Sequence, residues 1–177
     1  MRKYYYFLFV AAGLIISLLS ACNTLKNTIT YDKGVIINGV KWATRNVSEL
    51  GTFASTPEDN GNYYTWKDAQ CACPKGWRLP TLSELASLVE LDSKWNYKKK
   101  GREFISGDNT LFLPAAGYRL NGNNGVLNSE GQYANYWSST PSINGLNSFY
   151  LHSYGSQIYL AISINRTNGY SVRCVKK

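Results

Sequence analysis

The sequence predicts an α+β domain that follows an N-terminal export signal. Two short helical segments come early in the mature chain, and strand-like segments separated by Gly and Asn turns come late. The clearest helix begins after Thr81, and the clearest strand is the alternation of apolar and polar residues over 158–165. Because helices come early and antiparallel strands come late along the chain, the pattern predicts the α+β class.

The first residues are typical of a bacterial lipoprotein signal. Arg2 and Lys3 give a positive start, and residues 4–19 are uncharged and almost wholly apolar. That run is shorter than the roughly 20 residues that a membrane span needs. It ends in Leu19-Ser20-Ala21-Cys22, which resembles the lipobox of bacterial lipoproteins, whose cysteine is acylated and becomes the new N-terminus. We therefore expect a signal peptide over residues 1–21 and lipid on Cys22.

The lipid on Cys22 would place the protein on a membrane of the cell envelope. Each buried CH₂ group contributes about 0.8 kcal/mol, so several acyl chains anchor a protein stably where one chain is marginal. Residues 22–33 are rich in Asn, Thr and Lys and predict a polar tether ahead of a domain over 34–177. We expect the outer membrane. Its periplasmic and surface faces both stay open, because residues 23–27 contain no acidic export signal.

Length and charge restrict the classes of partner. Removal of residues 1–21 from the 177-residue chain leaves 156 residues, enough for one domain, and lowers the net charge from +8 to +6. An exported protein rarely meets nucleic acid, so no nucleic-acid partner is expected despite the pI of 9.3. The densest cationic run, Lys98-Lys99-Lys100 with Arg102, predicts a solvated loop, with an anionic polysaccharide or lipid head group as its alternative partner.

Three cysteines remain once Cys22 is assigned to lipid. Cys71 and Cys73 are too close in sequence to pair readily, so we expect Cys174 to bond one of them and one thiol to be left over. A bridge between Cys73 and Cys174 would close a loop of about 100 residues, worth up to about 4.7 kcal/mol in chain entropy. No metal site is expected, because Cys-Ala-Cys lacks zinc-knuckle spacing and His152 is the only histidine.

The first half of the domain contains the helices. Residues 35–37 and 40–43 predict a β-rich stretch broken by an Asn38-Gly39 turn, and residues 48–62 predict a loop. A short helix is expected over 67–70. Thr81-Leu82-Ser83-Glu84 has the pattern of a capping box, and the leucines and valine that follow form one apolar stripe, which predicts a second helix.

The second half of the domain contains the strands. Residues 111–113 with 115–119 predict the first strand, 122–125 a turn, and 133–140 the next strand. The alternating run over 158–165 is followed by Asn168-Gly169 and then by residues 170–175. Residues 157–175 therefore predict a β-hairpin.

Six sequence motifs, which follow one another along the chain, resemble those of one family. They are residues 40–46, residues 63–66, Cys73-Pro74-Lys75-Gly76-Trp77-Arg78-Leu79-Pro80-Thr81 with Glu84, residues 113–119, residues 136–140 and residues 171–175. Together they look like the Fibrobacter succinogenes major paralogous domain, which is common in lipoproteins of Bacteroides and its relatives in the Bacteroidetes. They cover roughly residues 34–176.

The sequence motifs of this family are similar in turn to those of C-type-lectin-like folds and of formylglycine-generating enzymes. The resemblance therefore implies a C-type-lectin-like α+β domain whose first and last strands pair. It also implies a disulfide between Cys73 and Cys174. Cys71 departs from the family pattern.

The resulting functional expectation is a non-catalytic binding or adhesion module whose ligand is a glycan or an envelope protein. Tyrosines such as Tyr150, Tyr154, Tyr159 and Tyr170 are candidates for stacking on sugars. The calcium-binding triplets of sugar-binding lectins do not occur in the sequence, so a calcium-dependent lectin is disfavoured. The alternative is a structural or assembly subunit of a surface complex, which the sequence does not separate from a binding module.

An enzyme is not expected. Formylglycine-generating chemistry uses a late cysteine pair, and only Cys174 is late in this chain. No HExxH motif or P-loop occurs, His152 is the only histidine, and Glu58 and Asp59 flank a loop rather than facing each other. We therefore assign no catalytic residue, no cofactor and no metal ligand from the sequence.

Overall fold

The computed structural model describes residues 31–122 and 124–177. The expected signal peptide, Cys22 and most of the expected tether lie outside the described residues. The helices in the described part are α1 (Trp66–Ala69) and α2 (Leu82–Val89). The strands are β1 (Val35–Ile37), β2 (Val40–Trp42), β3 (Trp77–Arg78), β4 (Ser93–Asn96), β5 (Gly101–Ser106), β6 (Asn109–Pro114), β7 (Tyr118–Arg119), β8 (Leu127–Asn128), β9 (Ala134–Pro141), β10 (Asn147–Tyr154), β11 (Gln157–Asn165) and β12 (Val175–Lys176).

The α+β expectation is wrong, because the chain is mostly β. Strands hold 42% of the described residues and helices only 8%, and the strands form four small antiparallel sheets. Both early helices exist, but α1 has 4 residues and α2 has 8. The segment that follows α2 accounts for much of the difference, since it forms β4 and β5 rather than loop. Its polar, partly exposed residues hide the alternation that identifies a strand.

One sheet joins the two ends of the domain. Its strand order is β1-β2-β12-β3, and Val175 of β12 lies opposite both Trp42 of β2 and Arg78 of β3. The last strand therefore pairs with β2 rather than with β1, the first strand. The Asn38-Gly39 turn between β1 and β2 is confirmed, with φ of 47° and 78° at its two residues. Such positive φ values suit Asn and Gly, which explains the turn signal.

Helix α2 begins at the expected capping box. The backbone amide of Glu84 donates to the Thr81 hydroxyl at 3.2 Å, and the Thr81 amide donates to the Glu84 carboxylate at 2.7 Å. The guanidinium of Arg78 binds both oxygens of the same carboxylate at 2.6 and 2.7 Å. Leu85 and Leu88 are completely buried on the inner face of the helix, where they pack against the sheet of β9, β10 and β11.

The sheet with strand order β11-β10-β9 separates two parts of the core. One face contributes Tyr136 and Leu151 to the cluster that includes the α2 leucines. The other face contributes Trp137 and Tyr150, which join Tyr170 and residues near α1 in a second cluster. Successive side chains of a strand point to opposite faces, so the alternation along β9 and β10 produces this division.

Two local expectations from the sequence are wrong. Residues 157–175 do not form a hairpin, since β11 pairs with β10 and the following segment continues to β12 in the other sheet. Arg102 does not belong to a solvated run with the preceding lysines, because it lies in β5 and is only 3% exposed. Lys98, Lys99 and Lys100 do lie in an exposed turn, as expected.

Among the described residues, neither helix has the length and apolar character needed to cross a bilayer.

Candidate binding site

Strand β10 carries a row of aromatic side chains that runs from the core to the surface. Tyr150, His152 and Tyr154 are two residues apart and therefore share one face of the sheet. At the inner end Tyr150 is only 7% exposed and its ring lies 4.8 Å from that of Tyr170. At the outer end Tyr154 is 37% exposed, and Tyr159 on the neighbouring strand β11 is 39% exposed.

The outer end of this row forms the aromatic patch, which we define as Tyr133, His152, Tyr154 and Tyr159. The ring of Tyr133 lies 5.0 Å from His152 and 5.4 Å from Tyr154. The ring of Tyr159 lies 6.1 Å from each of the same two residues. All these centroid distances fall in the range of favourable aromatic pairs, so the four rings form one continuous surface.

His152 is held as a neutral imidazole with a defined tautomer. Its Nδ1 lies 2.6 Å from the side-chain oxygen of Asn135, while the Asn135 amide group donates to the carbonyl of Gly117 at 3.3 Å. Because Asn135 accepts at this oxygen, Nδ1 carries the proton and Nε2 is left as a hydrogen-bond acceptor. Burial lowers the pKa of His152 from its usual 6.5, so the ring is uncharged at neutral pH.

The tyrosine hydroxyls add polar groups at the rim of the patch. The Tyr159 hydroxyl donates to the side-chain oxygen of Gln157 at 3.1 Å. A hydrogen bond with Tyr159 and the charge interaction with that neighbouring phenol raise the pKa of Tyr154 above its usual 10, so the Tyr154 phenol stays protonated at neutral pH. The patch therefore presents ring carbon atoms, hydroxyl groups and an imidazole acceptor, all without net charge.

Arg102 holds the turn between Tyr154 and Tyr159 from the opposite face of the sheet. Its guanidinium donates to the Ser153 hydroxyl at 2.6 Å and to the carbonyls of Gly155 and Gln157 at 2.7 and 3.0 Å. Burial lowers the pKa of Arg102, but a guanidinium keeps its proton in proteins. These hydrogen bonds fix the turn that sets the spacing of the two exposed tyrosines.

A second feature is a polar cleft of about 610 Å³ whose lining includes Glu49, Asp68, Arg119 and Glu130. Its carboxylates already have partners. Neighbouring side chains donate to Glu130 at 2.6 Å, to Glu49 at 3.2 Å and to Asp68 at 2.6 Å. In the part of the chain that the structure describes, no group of three or more His, Cys, Asp or Glu side chains is arranged to hold a metal ion.

The structure places the cysteines and tyrosines selected from the sequence in different environments. Cys73 and Cys174 form the disulfide implied by the resemblance, with their Cα atoms 6.0 Å apart. No described cysteine is a free thiol, so the leftover thiol expected from the cysteine count does not occur among them. Cys22 lies outside the described residues.

Of the four tyrosines proposed for stacking on sugars, two are in the core. Tyr150 and Tyr170 are buried and so cannot meet a ligand, whereas Tyr154 and Tyr159 are exposed. Sequence reasoning missed Tyr133 and His152 as members of the same surface. The alternation of Tyr150, His152 and Tyr154 was the available signal, because residues two apart on a strand share a face.

The comparison that identifies the family covers most of the chain. The family model of the Fibrobacter succinogenes major domain (Fib_succ_major) matches residues 23–176. The chain belongs to this family. This match confirms the family that the six sequence motifs predict.

No curated protein and no solved structure matches this Fib_succ_major chain. The expected C-type-lectin-like fold is thus not identified, and the predominance of strands contradicts the α+β form in which it was expected.

Proposed function

We propose that this protein is a lipid-anchored lipoprotein of the cell envelope, on the outer membrane, and that its Fib_succ_major domain is a non-catalytic binding module. We further propose that the ligand, a glycan or an envelope protein, contacts the aromatic patch. The observation that carries the binding proposal is the exposure of Tyr154 and Tyr159 beside His152, although the same row of rings is buried at its inner end. Clustered exposed aromatic groups are typical of interaction surfaces.

The anchor is supported by the sequence phrase Leu19-Ser20-Ala21-Cys22 after a charged start and an apolar run. Metabolic labelling with a fatty-acid analogue tests it. We expect label on the wild-type protein and on the control variant Asn23→Ala, and no label on Cys22→Ala. A labelled Cys22→Ala protein would contradict the proposed anchor.

The non-catalytic assignment is supported by the state of Cys174. Its sulfur is bonded to that of Cys73, so it does not offer a thiol for the chemistry of formylglycine-generating enzymes. We expect the purified protein not to oxidise a cysteine-containing peptide in the presence of copper. Turnover of that peptide would contradict the proposal.

The role of the patch is tested by crosslinking in intact cells followed by identification of the neighbours. The variant Tyr154→Ala/Tyr159→Ala removes two exposed rings, while Tyr97→Ala removes a 79% exposed tyrosine from the turn after β4 as the matched control. We expect the double variant to lose specific crosslinks that the control retains. Identical crosslinks in all three proteins would contradict a binding role for the patch.

A structural or assembly role is the second candidate, and one observation favours it. Strand β11 is 9 residues long and lies at the edge of its sheet, where another strand can add by backbone hydrogen bonding. Sedimentation of the full chain in detergent tests this role. A defined oligomer would support assembly through copies of this chain, and a monomer over the whole concentration range would contradict it.

A further inference from the structure

We infer that the aromatic patch is a carbohydrate-binding site that takes an uncharged glycan chain. The inference rests on the proposed binding function and adds the chemical class of the ligand. It follows from three properties of Tyr133, His152, Tyr154 and Tyr159: their mixed apolar and polar surface, their lack of charge, and the rigidity of their surroundings.

The surface chemistry of the patch matches that of a sugar ring. A pyranose presents a face of C–H groups and a rim of hydroxyl groups, and aromatic rings attract C–H groups through their negative π-face. The hydroxyls of Tyr154 and Tyr159 and the Nε2 acceptor of His152 lie among these rings. A ligand with only apolar side chains would leave these polar groups without partners, which costs free energy.

The charge of the patch distinguishes neutral from anionic glycans. The chain carries a net charge of +8, yet neither the patch nor its hydrogen-bonding neighbours Asn135 and Gln157 contain a charged side chain. Arg102, which contacts the same turn, lies on the opposite face and donates to protein oxygens. An anionic polysaccharide would therefore meet no counter-charge here, and its desolvation would oppose binding.

The patch is already ordered for binding. Asn135 fixes the His152 ring, Arg102 fixes the turn between Tyr154 and Tyr159, and the inner end of the row is packed into the core. Tyrosine side chains have few rotatable bonds, so a ligand loses little free energy by immobilising them. Preorganisation of this kind favours affinity for a flexible chain of sugars.

Affinity electrophoresis of the detergent-solubilised full chain tests the inference. The probes are neutral polysaccharides (β-glucan, mannan, xylan and starch) and the anionic polygalacturonate and chondroitin sulfate. We expect retardation by at least one neutral polysaccharide, with little change when salt is raised. Tyr154→Ala and Tyr159→Ala should each weaken that binding by about tenfold, Tyr97→Ala should leave it unchanged, and near-ultraviolet circular dichroism should verify folding.

The conservative variants Tyr154→Phe and Tyr159→Phe separate the contributions of ring and hydroxyl. Each should retain part of the affinity that the alanine variant loses, because the ring remains.

Binding restricted to the anionic polymers, or equal losses in Tyr97→Ala, would overturn the inference. Failure of every polysaccharide would also overturn it. If Tyr154→Ala/Tyr159→Ala still lost its crosslinks in cells, the proposed binding function would stand with a protein ligand.

Discussion

Arg102 illustrates how one buried side chain can determine the surface on the other side of a sheet. It donates to Ser153, Gly155 and Gln157, and these contacts hold the turn that carries the exposed tyrosines. The sequence predicted a solvated residue because three lysines precede it closely. Only the pairing of β5 with β4 and β6 shows that Arg102 turns inward while the lysines stay in the turn.

The several N–H donors that the Arg102 guanidinium holds in fixed positions lead to a prediction about stability. Arg102→Lys keeps the positive charge but cannot reach the hydroxyl and both carbonyls at once. We expect the free energy of unfolding to fall by about 1–3 kcal/mol, measured by urea denaturation, together with weaker binding at the patch. The exposed control Lys98→Ala should change stability little. Wild-type stability of Arg102→Lys would show that these hydrogen bonds do not hold the turn.

His152 leads to a prediction about pH. Burial lowers its pKa in the folded protein, so the unfolded chain takes up a proton at a higher pH than the folded one. The stability contributed by the neutral ring is complete above the unfolded value of about 6.5 and is lost as the pH falls through the folded pKa. Urea denaturation at pH 7 and pH 5 should show this loss, and His152→Gln should show a smaller change. An equal pH dependence in both proteins would contradict it.

At the scale of elements, helix α2 depends on Thr81, the residue that caps its N-terminus. The Thr81 hydroxyl accepts the amide of Glu84, and the Glu84 carboxylate also binds Arg78 in β3. Thr81→Ala should lower the free energy of unfolding by about 1 kcal/mol, and Thr81→Ser should retain most of the stability because it keeps the hydroxyl. Thermal denaturation of the two variants measures the difference. Equal melting temperatures for Thr81→Ala and wild type would contradict the role of the cap.

The elements divide into those that local sequence predicts and those that it does not. Helix α2, the Asn38-Gly39 turn and strand β11 follow from capping, turn residues and alternation, which are properties of neighbouring residues. The pairing of β12 with β2 and β3 is set by contacts far apart in sequence. The Asn168-Gly169 signal suggested a hairpin over 157–175, but this long-range pairing takes the following segment into another sheet.

The members of the candidate site were also only partly predictable. Alternation along the chain places Tyr154 and His152 on the same face, but it does not show which end of the row is buried. That depends on Tyr170, which packs on Tyr150 and Trp137 at the inner end and leaves the outer end exposed. Tyr133 joins the patch because it immediately precedes β9, a placement that only the sheet register reveals.

At the scale of the whole molecule, the C-terminal end of the domain is held both by the sheet of β1, β2, β12 and β3 and by a disulfide to Cys73. Cys73 and Cys174 are 101 residues apart, and Val175 immediately follows the second cysteine in β12. Cys73→Ser/Cys174→Ser should lower the free energy of unfolding by about 2–5 kcal/mol, measured by guanidinium denaturation. Because the strand pairing remains, β-sheet circular dichroism should persist without denaturant. Unchanged stability would contradict a stabilising role for the bridge.

The proposed protein has a lipid anchor near one end of the chain and a binding surface on the domain. Hydroxyl-radical footprinting, compared between intact cells and the purified protein, tests this proposal most directly. The oxidation of Tyr154 and Tyr159 should be lower in cells, because the ligand covers the patch there. Tyr31 and Tyr97, which are 78% and 79% exposed, should be oxidised to the same degree in both. Equal oxidation of Tyr154 and Tyr159 in cells and in the purified protein would contradict the proposal that this patch is the surface through which the anchored domain binds its ligand.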